Sequence, residues 1–200
     1  MYRDDVAAIC DIAANPKGFV NVVAFTMATI QMPLQTCLMQ CEDIAVNGYN
    51  SKYLWGWKKD GYDYAVAYRN TILHKLDTIR HDYYGQDAAS QAVAYLSHIP
   101  GLGMVKAGFV AQMLGFEAAC LDRHNLRKLG LDNKVVKLDA KANDKKRLDK
   151  SQEYVRLCND TGGAEYWWNE WCGFVAGSKY NKRLDTAEKV SKFHVECIAV

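Results

Sequence analysis

Apolar residues recur at three- and four-residue intervals along most of the chain, and no run of strand length alternates β-branched with polar residues. That spacing turns one face of a helix inward, so the sequence predicts an all-α fold. Helices are expected over roughly 4–14, 18–30, 35–46, 61–82, 86–97, 104–114, 122–129, 145–158, 164–177 and 186–197. Between Asp132 and Lys150 the chain turns polar. There Lys134, Lys137, Lys141, Lys145, Lys146, Arg147 and Lys150 stand against Asp132, Asp139, Asp144 and Asp149, which reads as an exposed connector of modest positive charge. With no internal repeat and only three prolines, one continuous core is expected.

At 200 residues, half of them hydrophobic, the chain can bury a substantial core as one domain or two small lobes, which excludes disorder as the main state. The longest apolar stretch, Phe19 to Leu34, is interrupted by Asn21, Thr26, Thr29, Gln31 and Pro33, and the acidic start Met1-Tyr2-Arg3-Asp4-Asp5 lacks the basic segment of a secretory leader. The expectation is a soluble, cytoplasmic protein without a signal peptide or membrane partner. Seven cysteines at 10, 37, 41, 120, 158, 172 and 197 form no CxxC pair and read as packed, reduced thiols. The formal charge of +2 does not by itself argue for nucleic-acid binding.

The most informative stretch runs from Ala92 to Leu131. Within it, Pro100-Gly101-Leu102-Gly103 separates two amphipathic helices, and two glycines around one apolar residue let the chain reverse tightly. The amides opening the second helix have no intrahelical partner and lie at the positive end of the helix dipole, so a phosphate can bind there without any side chain. Lys106, in the first turn, either adds a charge to that phosphate or lies in solvent. About twenty residues on, Leu121-Asp122-Arg123-His124-Asn125 offers a carboxylate that can cap a helix, act in catalysis, or do both. His124 is a candidate for a phosphate or a helix contact.

Ile99-Pro100-Gly101-Leu102-Gly103 followed by Leu121-Asp122-Arg123-His124 resembles the helix-hairpin-helix DNA glycosylase superfamily (HhH-GPD), with the hairpin-to-aspartate distance one residue short of the family's. The resemblance is strongest over about forty residues. It implies a two-lobed helical fold: lobe A over about 20–130, a six-helix barrel with its hairpin at 92–115, and lobe B over about 1–19 plus 131–200. It also implies DNA as partner to a monomer, a flipped base, and Asp122 as the catalytic carboxylate. Gly101, Leu102, Gly103, Lys106 and His124 become candidate phosphate contacts. Phe19 to Gln31 is similar to the helix that opens the family's barrel, which makes Gln31 a candidate wedge. Members that also nick the backbone carry a lysine two positions past the last hairpin glycine. Here that position is Val105, and Lys106 is rotated from it by about 100°.

The resemblance therefore implies a monofunctional hydrolase of N-glycosyl bonds with water as nucleophile, acting on a pyrimidine such as uracil or thymine. No metal and no other cofactor is expected: the family's iron-sulfur cluster needs four close C-terminal cysteines, and only Cys158, Cys172 and Cys197 follow the motif. Tyr49, Tyr53 and Trp55, with Trp57, are candidates to stack on an extruded base. The Tyr166–Trp171 run is read as core packing, because Trp167 and Trp171 share a helix face. Two rivals remain: a DNA base-modifying transferase of hypermodified pyrimidines on the same fold, and a non-catalytic helix-hairpin-helix DNA-binding protein.

Overall fold

Polar residues at the helix starts decide where the chain turns. In a computed structural model, which describes residues 1–30, 32–139, 141–178 and 183–200, Asn15 caps a helix with Pro16 in its first turn, accepting from the Gly18 amide at 2.9 Å. Asp122, Asn143 and Thr186 cap three later helices in the same way. Gln31, a candidate wedge, lies outside the described residues.

Among the described residues ten α-helices follow in order: α1 (Tyr2–Ala13), α2 (Pro16–Ala28), α3 (Cys37–Asn47), α4 (Trp57–Asp82), α5 (Gly85–Leu96), α6 (Met104–Met113), α7 (Arg123–Lys128), α8 (Asp144–Asp160), α9 (Gly163–Ala176) and α10 (Ala187–Ile198). The described residues contain no strand, so the chain is all-α. Three short 3-10 turns, Leu34–Thr36, Gly48–Asn50 and Asn133–Val136, are too brief for periodicity to show.

Two differences from the sequence expectation have local causes. Helix α4 begins at Trp57 rather than Gly61, because Gly56, at φ 51°, turns the chain and its carbonyl accepts from the amides of Lys59 and Asp60. Arg147, expected in an exposed connector, is buried instead: its guanidinium donates to Ala142 O, and to Ser97 O and Oγ at 2.9 and 3.2 Å.

Helix α2 is apolar around nearly its whole circumference, with Phe19, Val22, Val23, Phe25 and Met27 completely buried, and such a helix has to sit in the middle. It packs against α1, α3, α4, α6 and α10. Helix α6 is similarly enclosed, from Ala107 to Met113. Most buried apolar side chains form one connected core, with a small satellite at Ala24, Ile44 and Leu54. Trp167 and Trp168 belong to the core, as read from the sequence. All seven cysteines are free thiols, six of them buried. No helix among the described residues is long and apolar enough to cross a membrane.

His194 of α10 is completely buried, ringed by Phe25, Phe109, Trp168 and Trp171 at centroid distances of 4.8–6.1 Å. Its Nδ1 pairs with Val190 O at 2.7 Å, and burial pulls its pKa from 6.5 down to about 4. The folded chain therefore takes up this proton only near pH 4, whereas the unfolded chain does so near pH 6.5. Stability is whole above pH 6.5 and falls as pH drops through that window, by about 3 kcal/mol in all. Urea unfolding at pH 7 and pH 4.5 should show this loss, and His194→Leu should show a smaller one; parallel losses would exclude His194 as the cause.

Candidate active site

The hairpin is built from short backbone bonds: Ile99 N–H donates to Leu96 O and Leu102 N–H to Ile99 O, both at 3.0 Å. Gly101 has φ 81°, and a Cβ there would lie 2.4 Å from the Trp57 ring. Leu102 points into the core, 2% exposed, and its amide is used within the turn. Among the described residues the amides of Gly103, Met104 and Val105 donate to no protein group. These three N–H groups open α6, and the space beside Gly103 is empty within 4 Å of where a Cβ would stand.

Lys106 follows and turns away from the outer surface. Half-buried, its ammonium lies 3.4 Å from Thr29 Oγ1 and over the Phe109 ring at 5.4 Å.

Between α6 and α7 a non-helical stretch runs from exposed Glu117 into the core at Leu121, and five of its backbone groups find side-chain partners. Gln112 Oε1 accepts from Cys120 N–H at 3.1 Å, while Asn125 Nδ2 donates to Cys120 O at 2.7 Å. Tyr154 Oη donates to Ala119 O at 2.5 Å and accepts from Leu121 N–H at 3.1 Å. Asn159 Nδ2 donates to Glu117 O at 2.9 Å. Four side chains thus fix the segment that delivers Asp122.

Asp122 is half-buried and held by three donors. Its Oδ1 accepts from the amides of His124 and Asn125 at 2.9 and 3.0 Å, and its Oδ2 accepts from Trp171 Nε1 at 3.2 Å. Capping and orientation are one arrangement here. Lys106 and Asp122 also act with opposite sign on the Cys120 thiol, which places both charges around that residue; burial dominates and pushes the thiol up to about 12.

His124 stacks on Phe174, with centroids 3.4 Å apart, and its Nε2 is buried without a partner. Burial, followed by the opposing influence of Asp122, sets its pKa below the ordinary histidine value, which keeps the ring neutral at pH 7.

Beside this group lies a cavity of about 150 Å³. Thr29, Met32 and Leu34 line one side; Trp171, Phe174 and Val175 of α9 line the other. Lys106 and Asp122 are not part of its lining, but each bonds a residue that is: Lys106 to Thr29 and Asp122 to Trp171. A hollow of about 320 Å³ flanks the hairpin near His98, Asp139 and Arg147, but none of its lining residues touches Asp122.

None of the described sequence candidates lines this cavity itself. Asp122, Lys106 and His124 reach it only through Trp171, Thr29 and Phe174. Gly101, Leu102, Gly103, Tyr49, Tyr53, Trp55 and Trp57 are absent from its lining, and the Trp57 ring lies instead on the hairpin at Gly101. Trp171 and Phe174, which periodicity assigns to the core or leaves unmarked, supply its aromatic wall. The indole N–H of Trp171 needed an acceptor, and that requirement was the available signal. Lys58 also escaped notice: it is 2% exposed, donates to Ile30 O at 3.0 Å and sits over the Trp55 and Trp57 rings at 5.1 and 6.0 Å. Cys158, Cys172 and Cys197 have separate surroundings, at Ala119, Ser191 and Cys41 respectively.

Comparison of the chain with protein-family models, curated proteins and solved structures finds no match.

Removing the Tyr154 hydroxyl leaves the buried Leu121 N–H without an acceptor. Tyr154→Phe should therefore cost about 1–3 kcal/mol, read as a drop in Tm of about 2–4 °C for each kcal/mol at this chain length. An unchanged melting temperature would show that the segment is held without that bond.

Proposed function

We propose that the protein is a monofunctional DNA glycosylase of the helix-hairpin-helix type. The observation that carries this reading is the placement of Asp122: a carboxylate held by three donors, next to an aromatic-walled cavity, in a chain whose hairpin leaves three helix amides free. In this reading the protein is a monomer of two lobes, with DNA lying in the groove between them.

The amides of Gly103, Met104 and Val105 take a backbone phosphate through hydrogen bonds and the α6 dipole, holding a strand from which one nucleotide has rotated out. The extruded base enters the cavity between Thr29 and Trp171. A space of about 150 Å³ is the size that accepts a single six-membered ring, which favours a pyrimidine such as uracil or thymine. As the N-glycosidic bond stretches, positive charge grows on the sugar and Asp122 stabilises it. The carboxylate also receives a proton from the attacking water, whose oxygen bonds to the sugar carbon while the bonding pair leaves with the base nitrogen.

Water is the nucleophile because Val105 occupies the position where backbone-nicking relatives carry their amine. The Lys106 ammonium, bonded to the Thr29 hydroxyl of the cavity lining, supplies positive charge toward the departing base as it gathers negative charge. His124, neutral and stacked, supports the cavity wall through Phe174 rather than gripping a phosphate by charge.

The first assay is incubation with duplex and single-stranded oligonucleotides carrying uracil, mismatched thymine, or oxidised or alkylated bases, resolved with and without hot alkali. Strand breaks appearing only after alkali are expected; a gain in DNA mass without base release would mean a transferase instead. Asp122→Asn keeps the cap but loses the charge, so turnover should fall on the order of a hundredfold or more with folding and DNA affinity retained. Full activity in that variant would assign the chemistry elsewhere. Gly103 has an ordinary φ of −75° and open space beside it, so Gly103→Val should fold normally yet weaken binding to all DNA sequences alike. Altered base preference would contradict a phosphate role.

A further inference from the structure

The segment from Tyr49 to Lys59 carries four aromatic rings, three lysines and no carboxylate. Trp55 is 52% exposed, Tyr49 48% and Trp57 37%, although an indole or phenol ring gains much by burial. The indoles of Trp55 and Trp57 meet edge to face at 6.2 Å. Each ring has an ammonium nearby: Lys59 over Tyr49, Lys52 over Tyr53, and buried Lys58 over both indoles. The rings are thus positioned from below by a lysine that is itself fixed to Ile30 O.

This surface does not stand apart from the hairpin. Trp57 lies against Gly101, and Gly61 lets α4 approach so closely that a Cβ there would come within 2.3 Å of Pro100 O. Trp57 thus joins the aromatic segment to the hairpin, two residues before Gly103 opens α6 with its free amides. Aromatic faces beside positive charge and a phosphate site are what binds an unpaired strand, because every base has a face to stack and every linkage carries a charge. A duplex, whose bases are already stacked, gains little from such a platform.

We propose that Trp55 and Trp57 stack unpaired bases of the strand whose phosphate the α6 amides hold, so that single-stranded or locally opened DNA is the preferred substrate class. The inference deepens the glycosylase reading and rests on the hairpin's phosphate role. It also lowers the energetic demand on the enzyme, since extruding a base costs least where the strand is already unpaired.

The test is fluorescence anisotropy with three probes of one length: a single-stranded DNA, its duplex, and a single strand of abasic residues that keeps the phosphates but has no bases. The wild-type protein should bind the ordinary single strand tightest. Trp55→Ala, at a half-exposed position that the core does not need, should lose about tenfold on that strand and almost nothing on the abasic one. Trp57→Phe, which keeps a ring against Gly101, should lose less. Gly103→Val should weaken all three probes. Equal wild-type affinity for ordinary and abasic strands, or an unaffected Trp55→Ala, overturns the stacking platform while the hairpin reading stands. A Trp55→Ala loss with Gly103→Val unaffected overturns the hairpin reading and leaves stacking in place. Wild-type binding to none of the three overturns both.

Discussion

Non-helical backbone that enters a helical core needs partners for its N–H and C=O groups that helix ladders do not supply. The stretch from Glu117 to Leu121 finds partners for five of these groups on side chains from three helices: Gln112 of α6, Asn125 of α7, and Tyr154 and Asn159 of α8. Much of the candidate site depends on that solution. Because Gln112, Asn125 and Tyr154 are buried and directional partners, the stretch has one register, and its last residue hands Asp122 to the start of α7 in a fixed orientation. Gly108 belongs to the same constraint: a Cβ there would fall 2.6 Å from the Tyr154 ring and 2.8 Å from Ala119 O.

Around this stretch, two cations are placed where the fold limits their freedom. Lys58 is tied to Ile30 O and Lys106 to Thr29, so both close off the C-terminal end of α2, where a helix dipole welcomes positive charge. Burial holds the Lys58 ammonium below the usual lysine range, with Cys37 opposing and Lys106 reinforcing that effect. Of the residues that line the cavity, Thr29 is thereby held by Lys106, Phe174 by its stack on His124, and Trp171 by its bond to Asp122.

What could be read in the sequence was whatever depends on neighbours along the chain. Helix positions followed from apolar spacing, the hairpin from Pro100, Gly101 and Gly103, and the cap at Asp122 from its place before α7. The cavity could not be read, because Thr29, Leu34 and Trp171 come from distant segments and each fits an ordinary helical face. Lys58 gave no warning either: a lysine between two tryptophans reads as solvated until the packing of α4 on the hairpin encloses it. The aromatic residues divided in the same way. Spacing of four correctly signalled burial for Trp167, but Trp171, on the same face one turn on, has its ring in the core and its N–H at the site.

The one-residue offset between Val105 and Lys106 has a structural consequence that bears on chemistry. A step of about 100° around α6 leaves Val105 partly buried against the core, while the Lys106 amine reaches Thr29, which lines the cavity. The Lys106 amine lies in hydrogen-bond contact with the Thr29 hydroxyl and over the Phe109 ring, which restricts where it can reach. The same features suit a fixed cation. In the proposed reading a breaking glycosidic bond needs negative charge beside the sugar and positive charge beside the leaving base, and Asp122 and Lys106, each bonded to a residue that lines the cavity, carry those two signs.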